Sequence, residues 1–594
     1  KRPQPDGVRG VPMRNQGGQD KELYRWHWLL KNNRDVDDYS GMINLLNTMG
    51  MSTAAYNRVV EEVIDVDQFL RTFAFLNLMG IGDNYGTHGS GAWHNAIFYI
   101  RPTDGKAMFF PWDMDFTFTN SATSGVTPSS DLNKMIAASP GNKRAYYGHL
   151  LDMILTTFNT RYMTEWLRHY SQFLDSSLIG HSNYINTRFR HIRLLINGAV
   201  ANVAFGVSTS SGGSTPGSTT TVRGDGWINV RELRLAGTLA PLAVRWTDDN
   251  SWEVTLPVAP GVNNFTIEAL GFDGRLIGSD TFSITGTGAV IPADASNLAI
   301  SEIHYHPIAP DAIEIAAGFT DPSMFEWIEL LNLSETSTLD LANLAFDDGI
   351  ELVIPAGTML APGERLVVPA NASAFTQRYG ALVEGRLLSR SYLNPNGSNS
   401  FSNGGEHVLL LSAAAQPIAE FTYNDNRPWP LSADGAGYSL TLMCPHRNDP
   451  MLPQGWRSSA ALGGSPGGDD VIPLASWQSD HGVVDLLGDT DGDGIPALIE
   501  YLSGTDPALP DGSPVTVVVA GADLRLEVRQ RIGADEVDLV AERAEDLMTW
   551  SSAEVEYWGR ENNGDGTATL RFRTPSAGFL SGEGFLRLSV SEKD

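Results

Sequence analysis

Apolar residues recur at steps of three and four along residues 54–64 and 66–79, and again along 146–158, 160–174 and 185–198. That period places one apolar stripe on a helix. The spacing therefore predicts a mainly helical region over residues 1–205, with a further helix start at Asp35-Val-Asp-Asp, where acidic residues suit a first turn. Two short apolar runs interrupt the helices, one ending at Ile100 and the next opening at Phe109, and read as adjacent strands. Beyond residue 222 the pattern changes to alternation of apolar and polar residues in short runs broken by Gly, Pro and Asp, the period of half-buried strands. Runs at 227–230, 244–246, 252–256, 264–270 and 279–285 predict a small β-sandwich over 223–290. A second β unit is expected over 296–445 and a terminal sandwich over 513–594, whose role stays open. Residues 206–222, GVSTSSGGSTPGSTTTV, lack any apolar period and read as a linker. Residues 446–484 are rich in Pro, Gly, Ser and Asp and read as an extended connector. The expected fold class is multidomain: a mainly α (α+β) lobe followed by several all-β sandwiches.

Composition narrows the function. The 594 residues suit several domains. The formal charge of −29 repels nucleic acid and anionic lipid, so neither is an expected partner. No run of about 18 apolar residues occurs, so no membrane-spanning helix is expected. The single cysteine, Cys444, excludes a disulfide within the chain.

Candidate chemistry concentrates between residues 82 and 118. Asp83 and Asn95 precede one apolar run, and Asp113 and Asp115 end the next. Carboxylates at the ends of adjacent strands, with an amide beside them, provide the oxygen ligands that magnesium takes together with phosphate oxygens. A separate carboxylate can orient an attacking hydroxyl. The alternative is local: Gly-Asp-Asn-Tyr-Gly also makes a good turn, and Asp113 and Asp115 could cap a strand. Gly82-Asp83-Asn84-Tyr85, His94-Asn95-Ala96-Ile97-Phe98-Tyr99 and Phe110-Pro111-Trp112-Asp113-Met114-Asp115 together resemble the spore-coat protein H (CotH) kinase family, an atypical secreted branch of the protein-kinase-like fold. The resemblance implies a kinase-like C-lobe over 1–205, Asp83 as catalytic carboxylate, and Asn95, Asp113 and, as a second candidate, Asp115 holding Mg²⁺ or Mn²⁺ with ATP. Such a kinase also needs a phosphate-covering loop and a Glu-paired lysine on an upper lobe. No Gly-rich loop follows a strand within 1–200, and Lys1, Lys21, Lys31 and Lys106 sit in no Val-Ala-x-Lys-like strand. The chain is therefore expected to be the lower lobe alone, binding nucleotide poorly and transferring no phosphate without the rest of a longer parent.

Residues 223–290 are similar to immunoglobulin-like modules of large secreted bacterial proteins. In the next unit, the runs at 298–307, 326–332, 354–364, 404–411 and 418–423 resemble the lamin-tail domain, an immunoglobulin-like sandwich, which implies binding or scaffolding with a protein or surface-polymer partner. His304 and His306, with Glu302 close in sequence, could hold zinc; the alternative is a strand with polar residues on its solvent side.

Asp489-Thr-Asp-Gly-Asp-Gly-Ile-Pro-Ala-Leu-Ile-Glu500 matches a twelve-residue calcium loop by spacing. Asp489, Asp491 and Asp493 occupy positions 1, 3 and 5, Gly494 permits the turn at 6, Ile495 offers its carbonyl at 7, and Glu500 binds at 12. The loop, with a helix after it within 485–510, resembles the EF-hand-like, dockerin and thrombospondin type 3 repeats of extracellular proteins. An affinity of ~10⁻⁴–10⁻³ M is expected. Such a site fills outside a cell, so an exported, cell-surface protein is expected. Two readings stay open: a secreted CotH-like kinase positioned by its β modules, or a non-enzymatic adhesion or structural protein with a remnant kinase lobe.

Overall fold

The apolar period along residues 66–79 folds as a single helix, and the predicted strand pair lies directly on it. In the computed structural model, which describes residues 18–593 other than 86, 88–94, 129, 384, 395–396, 522 and 576–583, the chain forms two units. The first comprises 1–213, 221–255 and 264–284; the second comprises 214–220, 256–263 and 285–594.

The first unit is built on helices α1 (Lys21–His27), α2 (Ser40–Gly50), α3 (Thr53–Val63), α4 (Val66–Met79), α5 (Ser130–Ala137), α6 (Pro140–Thr156), α7 (Thr160–Ser171) and α8 (His181–Ala199). The strands β1 (Ala96–Ile100) and β2 (Ala107–Pro111) pair antiparallel between α4 and α5. Asp65 caps α4, its carboxylate accepting from the Gln68 amide, and Gly80 ends the helix at φ 61°, a left-handed conformation that costs glycine no Cβ clash. Phe69 and Phe73 of α4 are buried and meet Phe109 of β2 at ring separations of 5.7 and 5.5 Å. Gln68 clamps the outer edge of β2: its Nε2 donates to the Phe109 carbonyl at 2.6 Å and its Oε1 accepts from the Phe109 amide at 2.8 Å. A strand edge that would otherwise need water is thereby satisfied inside the protein.

The segment read as a linker, 206–222, instead contributes strands. One small sheet has the order 213–215, 276–286, 261–270, 232–235, and a second 206–207, 219–225, 251–257, 245–246. Backbone pairing does not require apolar side chains, so Ser/Thr-rich strands at a sheet edge carry no hydrophobic period. Nor is this sandwich strung loosely after the helices. The buried Arg144 of α6 donates to the carbonyls of Gly226 and Trp227 at 2.8 and 2.7 Å, and its guanidinium lies over the Trp246 ring at 3.2 Å. Asp67 of α4 receives both the His149 ring, at 2.9 Å, and a bidentate Arg231.

In the second unit a five-stranded sheet, 365–369, 327–332, 298–304, 440–442 and 456–458, faces a four-stranded one, 352–353, 345–348, 405–411 and 417–424. The last strand of the five lies in the segment read as an extended connector, which also holds a helix, Leu474–His481. The period was invisible because Arg457 is buried by ion pairing rather than by apolarity. The C-terminal strands follow in the order 515–520, 523–531, 567–575, 556–562, with 537–544 paired to 585–592.

The zinc reading of the histidines does not survive. Strand Leu298–His304 is buried along its whole length rather than facing solvent. His304, 1 % exposed, packs near Trp327 at 5.9 Å, and burial presses its pKa down to about 3. His306 pairs with Asp434. Among the described residues the two histidines belong to no ligand cluster.

Two buried carboxylates on this sheet make stability pH-dependent. Glu302 and Glu329 stand opposite each other on neighbouring strands. Glu329 takes the Arg365 guanidinium at 2.8 Å, whereas among the described residues Glu302 accepts from Ser439 and Ser465 alone. Burial, then repulsion from Glu329, raises the Glu302 pKa to about 8. A raised folded pKa means the stabilising protonated state is present below the unfolded value and is lost as pH rises through about 8. Each unit of displacement is worth about 1.4 kcal/mol. Glu302→Gln should therefore flatten the fall in the melting temperature of this unit between about pH 4.5 and pH 8, read by differential scanning calorimetry. An unchanged slope would refute the assignment.

Candidate functional site

The acidic motif assembles at the open end of the β1–β2 hairpin. The register pairs Ala96 with Pro111, so Asn95 and Trp112 lie at the same end, with Asp113 one residue beyond. The turn after α4 runs alongside this end. Gly82 donates its amide to the Phe116 carbonyl at 3.1 Å, Asn84 Nδ2 to the Trp112 carbonyl at 2.8 Å, and Asn120 Nδ2 to the Ile81 carbonyl at 2.9 Å. Asp83, between Gly82 and Asn84, is thereby held beside the strand that carries Asp113. Asn95 closes the arrangement, its Nδ2 lying 3.2 Å from the Asp83 carbonyl and 3.4 Å from Asp83 Oδ2.

The backbone here is unusual. Asn95 and Asp113 have φ of 61° and 56°, and Phe118 has 66°. Left-handed backbone at a non-glycine residue persists only where surrounding contacts over-determine it, and such residues cluster at functional sites. The Phe118 amide donates to the Met79 carbonyl at 3.0 Å, and the fully buried Arg188 of α8 donates to the Asn77 and Leu78 carbonyls at the end of α4 and to Ser124 beyond the motif. Asp113 and Asp115 are exposed, and Trp112 and Phe116 beside them are 55 % and 48 % exposed. The Asp113 carboxylate and the Asn95 amide, at the same end of the hairpin, are oxygen donors of the kind a small divalent cation takes, leaving its remaining positions to water and phosphate oxygens.

The second acidic centre is the loop after residue 488. Asp489 Oδ1 and Oδ2 accept from the amides of Gly492 and Gly494 at 2.8 and 2.9 Å. Asp491 accepts from the Asp493 amide at 3.1 Å, and Asp493 from the Ile495 amide at 2.7 Å. Gly492 and Gly494 take φ of 82° and 90°, which only glycine adopts without strain. Single oxygens of Asp489, Asp491 and Asp493 lie within 4.8 Å of one another. Glu500, on the helix Ala497–Ser503, is 1 % exposed and its Oε1 is buried without a hydrogen-bond partner among the described residues. Asp491 Oδ2 is likewise buried and unpartnered. Burial, then repulsion from Asp491, Asp493, Asp511 and Asp489, raises the Glu500 carboxyl to about 7. A buried carboxylate oxygen without a donor, surrounded by like charges, fits a cation ligand.

Residues 14–199 match the family model described as CotH kinase protein. Residues 292–425 match the model described as Lamin Tail Domain. The chain thus joins a CotH-type helical region to a lamin-tail unit within a series of β-sheets. Among curated proteins none matches. One solved structure similar in part is the mixed-linkage glucan utilization locus protein SGBP-B of Bacteroides ovatus, in complex with a mixed-linkage heptasaccharide, at 13 % identity and a TM-score of 0.11. The similarity covers 35 % of this chain and 38 % of that one, so this chain spans less than half of that protein. So distant a likeness carries no argument about either fold or ligand.

Within the CotH-matched region, the structure ties Asp83 to Asn95 and sets Asp113 at the same end of the hairpin, with Asp115 two residues further out. Lys1 and His94 lie outside the described residues. Sequence reasoning assigns no role to Asn84, fully buried and tied to Trp112, although it sits inside the motif. It also missed Asp511. Its amide donates to Asp493 Oδ2 at 2.7 Å, and its charge acts on Glu500, yet it falls outside the twelve-residue loop.

Proposed function

We propose that this chain belongs to an extracellular or cell-surface protein in which a CotH-like region transfers the γ-phosphoryl group of ATP to a protein, while the β units bind a protein or surface polymer. What supports this reading is the contact of Asn95 with Asp83 and the position of Asp113 at the same end of the β1–β2 hairpin. Asp113 and Asn95 would hold Mg²⁺ or Mn²⁺, which neutralises charge on the phosphates when bound. Asp83 accepts a hydrogen bond from the acceptor hydroxyl and takes its proton as the oxygen attacks. Divalent-ion-dependent labelling of protein by γ-labelled ATP, with the full-length protein carrying this chain, tests the reading. Labelling should occur and should disappear in Asp113→Ala.

The 489–500 loop takes calcium in this proposal. Its support is the unpartnered buried oxygen of Glu500 among four other carboxylates. The ion would bind Asp489, Asp491, Asp493 and Glu500 with the Ile495 carbonyl, and brace the helix that packs Tyr501 and Leu502 into the C-terminal core. Calcium added after chelation should raise the melting temperature and protect residues 485–505 from proteolysis. Glu500→Gln should raise the calcium-free melting temperature, by removing a like charge, and abolish the response to calcium. A wild-type protein indifferent to chelator would remove the calcium claim.

The non-enzymatic alternative, an adhesive protein with a remnant lobe, is favoured by the exposure of Asp113 and Asp115 on the described surface. Absence of labelling by the full-length protein, with the calcium response intact, would select it.

A further inference from the structure

The C-terminal sheet has two edges, and among the described residues only one is covered. At Glu556–Asn562, Asn562 Nδ2 donates to Ser458 Oγ at 3.0 Å and Arg427 pairs with Glu561 at 3.1 Å. A Cβ on Gly559 would stand 3.3 Å from the Pro428 carbonyl. The opposite edge, Val515–Ala520, has strand Asp523–Arg531 as its one strand partner among the described residues.

This open edge carries none of the usual protections. Edge strands are ordinarily blunted by charge, proline or a bulge, because their free amides and carbonyls template further pairing. Val-Thr-Val-Val-Val-Ala contains no charge and no proline, and its register with the neighbouring strand runs without a bulge. Val517, Val518 and Val519 are 49 %, 37 % and 73 % exposed. Val515 and Val517 pair with Val528 and Leu526, both fully buried, so the Val515, Val517, Val519 row continues the core face of the sheet into solvent.

We propose that Val515–Ala520 pairs antiparallel with the same strand of a second copy of this chain, joining two C-terminal sheets into one. The segment is self-complementary. A two-fold axis through Val517 sets Val517 against its own copy, Val515 opposite Val519, and Thr516 opposite Val518. Every cross-strand pair is then β-branched on both sides, the pairing that packs best on a pleated surface. The backbone groups of the edge are satisfied, and the overhanging valine row is covered from the side. With −29 on each chain, the two copies repel at long range, so association strengthens as salt screens them.

Sedimentation velocity on the whole chain over a concentration series, at low and high salt, tests this. A concentration-dependent dimer, tighter at high salt, is expected. Val518→Lys sets a cation into both symmetric pairs and should weaken association by about tenfold or more. Leu239→Lys, at a position 87 % exposed on the small sandwich, adds the same charge elsewhere and should leave it unchanged. A monomer at all concentrations, a dimer that survives Val518→Lys, or equal loss in both variants would overturn the proposal. If Val518→Lys does not fold, hydrogen exchange of the wild type decides: amide exchange in 515–520 should slow as concentration rises, and unchanged exchange there would overturn it.

Discussion

Arg457→Met is expected to destabilise the second unit by about 3–5 kcal/mol, the range for breaking a buried ion pair from one side. The Arg457 side chain is 2 % exposed. Its Nε lies 2.9 and 3.0 Å from the two oxygens of Asp535, whose side chain is fully buried, and its Nη1 lies 3.0 Å from Asp470. It also donates to the Ser458 carbonyl at 3.0 Å. Arg457 belongs to the fifth strand of the lamin-tail sheet, and Asp535 to the C-terminal module, so a single side chain joins them. Methionine fills much of the volume but takes the guanidinium away from both carboxylates, leaving Asp535 with the charge of Arg560 alone among those acting on it here. Burial pushes the Asp470 pKa up, and the bonds from Arg457 more than offset it, leaving the folded value below the ordinary one. Stability from that pair is present above the unfolded pKa and lost as pH falls through the folded value. In Arg457→Met this contribution is gone, so the penalty is largest at neutral pH and shrinks in acid. Urea unfolding followed by tryptophan fluorescence measures it. A penalty under about 1 kcal/mol would mean the network does not couple the two modules. Adding Asp535→Leu should recover part of the loss, because it removes the stranded charge.

Asp113→Ala is expected to lower phosphoryl transfer by the full-length protein by about a thousandfold or more, since a metal ion at the transferring group is worth several kcal/mol and each 1.4 kcal/mol is tenfold. The substitution sits on exposed backbone after β2, and the hydrogen bonds holding Asp83 run through Gly82, Asn84 and Asn95 instead. The fold should therefore stand, with a modest drop in melting temperature because Ala tolerates the left-handed backbone at this position less well than Asp. Asp83→Asn should spare ion binding yet lower turnover, separating the carboxylate that orients the acceptor from the one that holds the ion. Retained activity in Asp113→Ala would discard the assignment.

Much of this arrangement could be read along the chain because it follows local periods. The 66–79 and 160–174 stripes folded as helices close to their expected bounds, and the runs at 252–256, 264–270 and 418–423 as strands. Asp83, Asn95 and Asp113 were visible because a turn motif and a strand-end motif carry their own residue types. Other features depend on partners distant in sequence. The strands within 206–225 are rich in Ser and Thr, and the strand Trp456–Ser458 buries an arginine, so neither shows an apolar alternation. Strands 537–544 and 556–562 hold charges that pair across strands, such as Glu542 with Arg587 and Glu561 with Arg571. Asn84 and Asp511 act through a carbonyl and a carboxylate placed by the fold, which no spacing rule encodes.

The central claim is that Asn95 and Asp113 hold one divalent ion with the phosphates of ATP, beside Asp83. Electron paramagnetic resonance of Mn²⁺ titrated into the full-length protein, with the calcium loop silenced by Asp489→Ala and Glu500→Gln, tests it most directly. One ATP-dependent Mn²⁺ per chain, absent in Asp113→Ala, is the predicted result. The same ATP-dependent binding with and without Asp113, or none in the wild type, would contradict it.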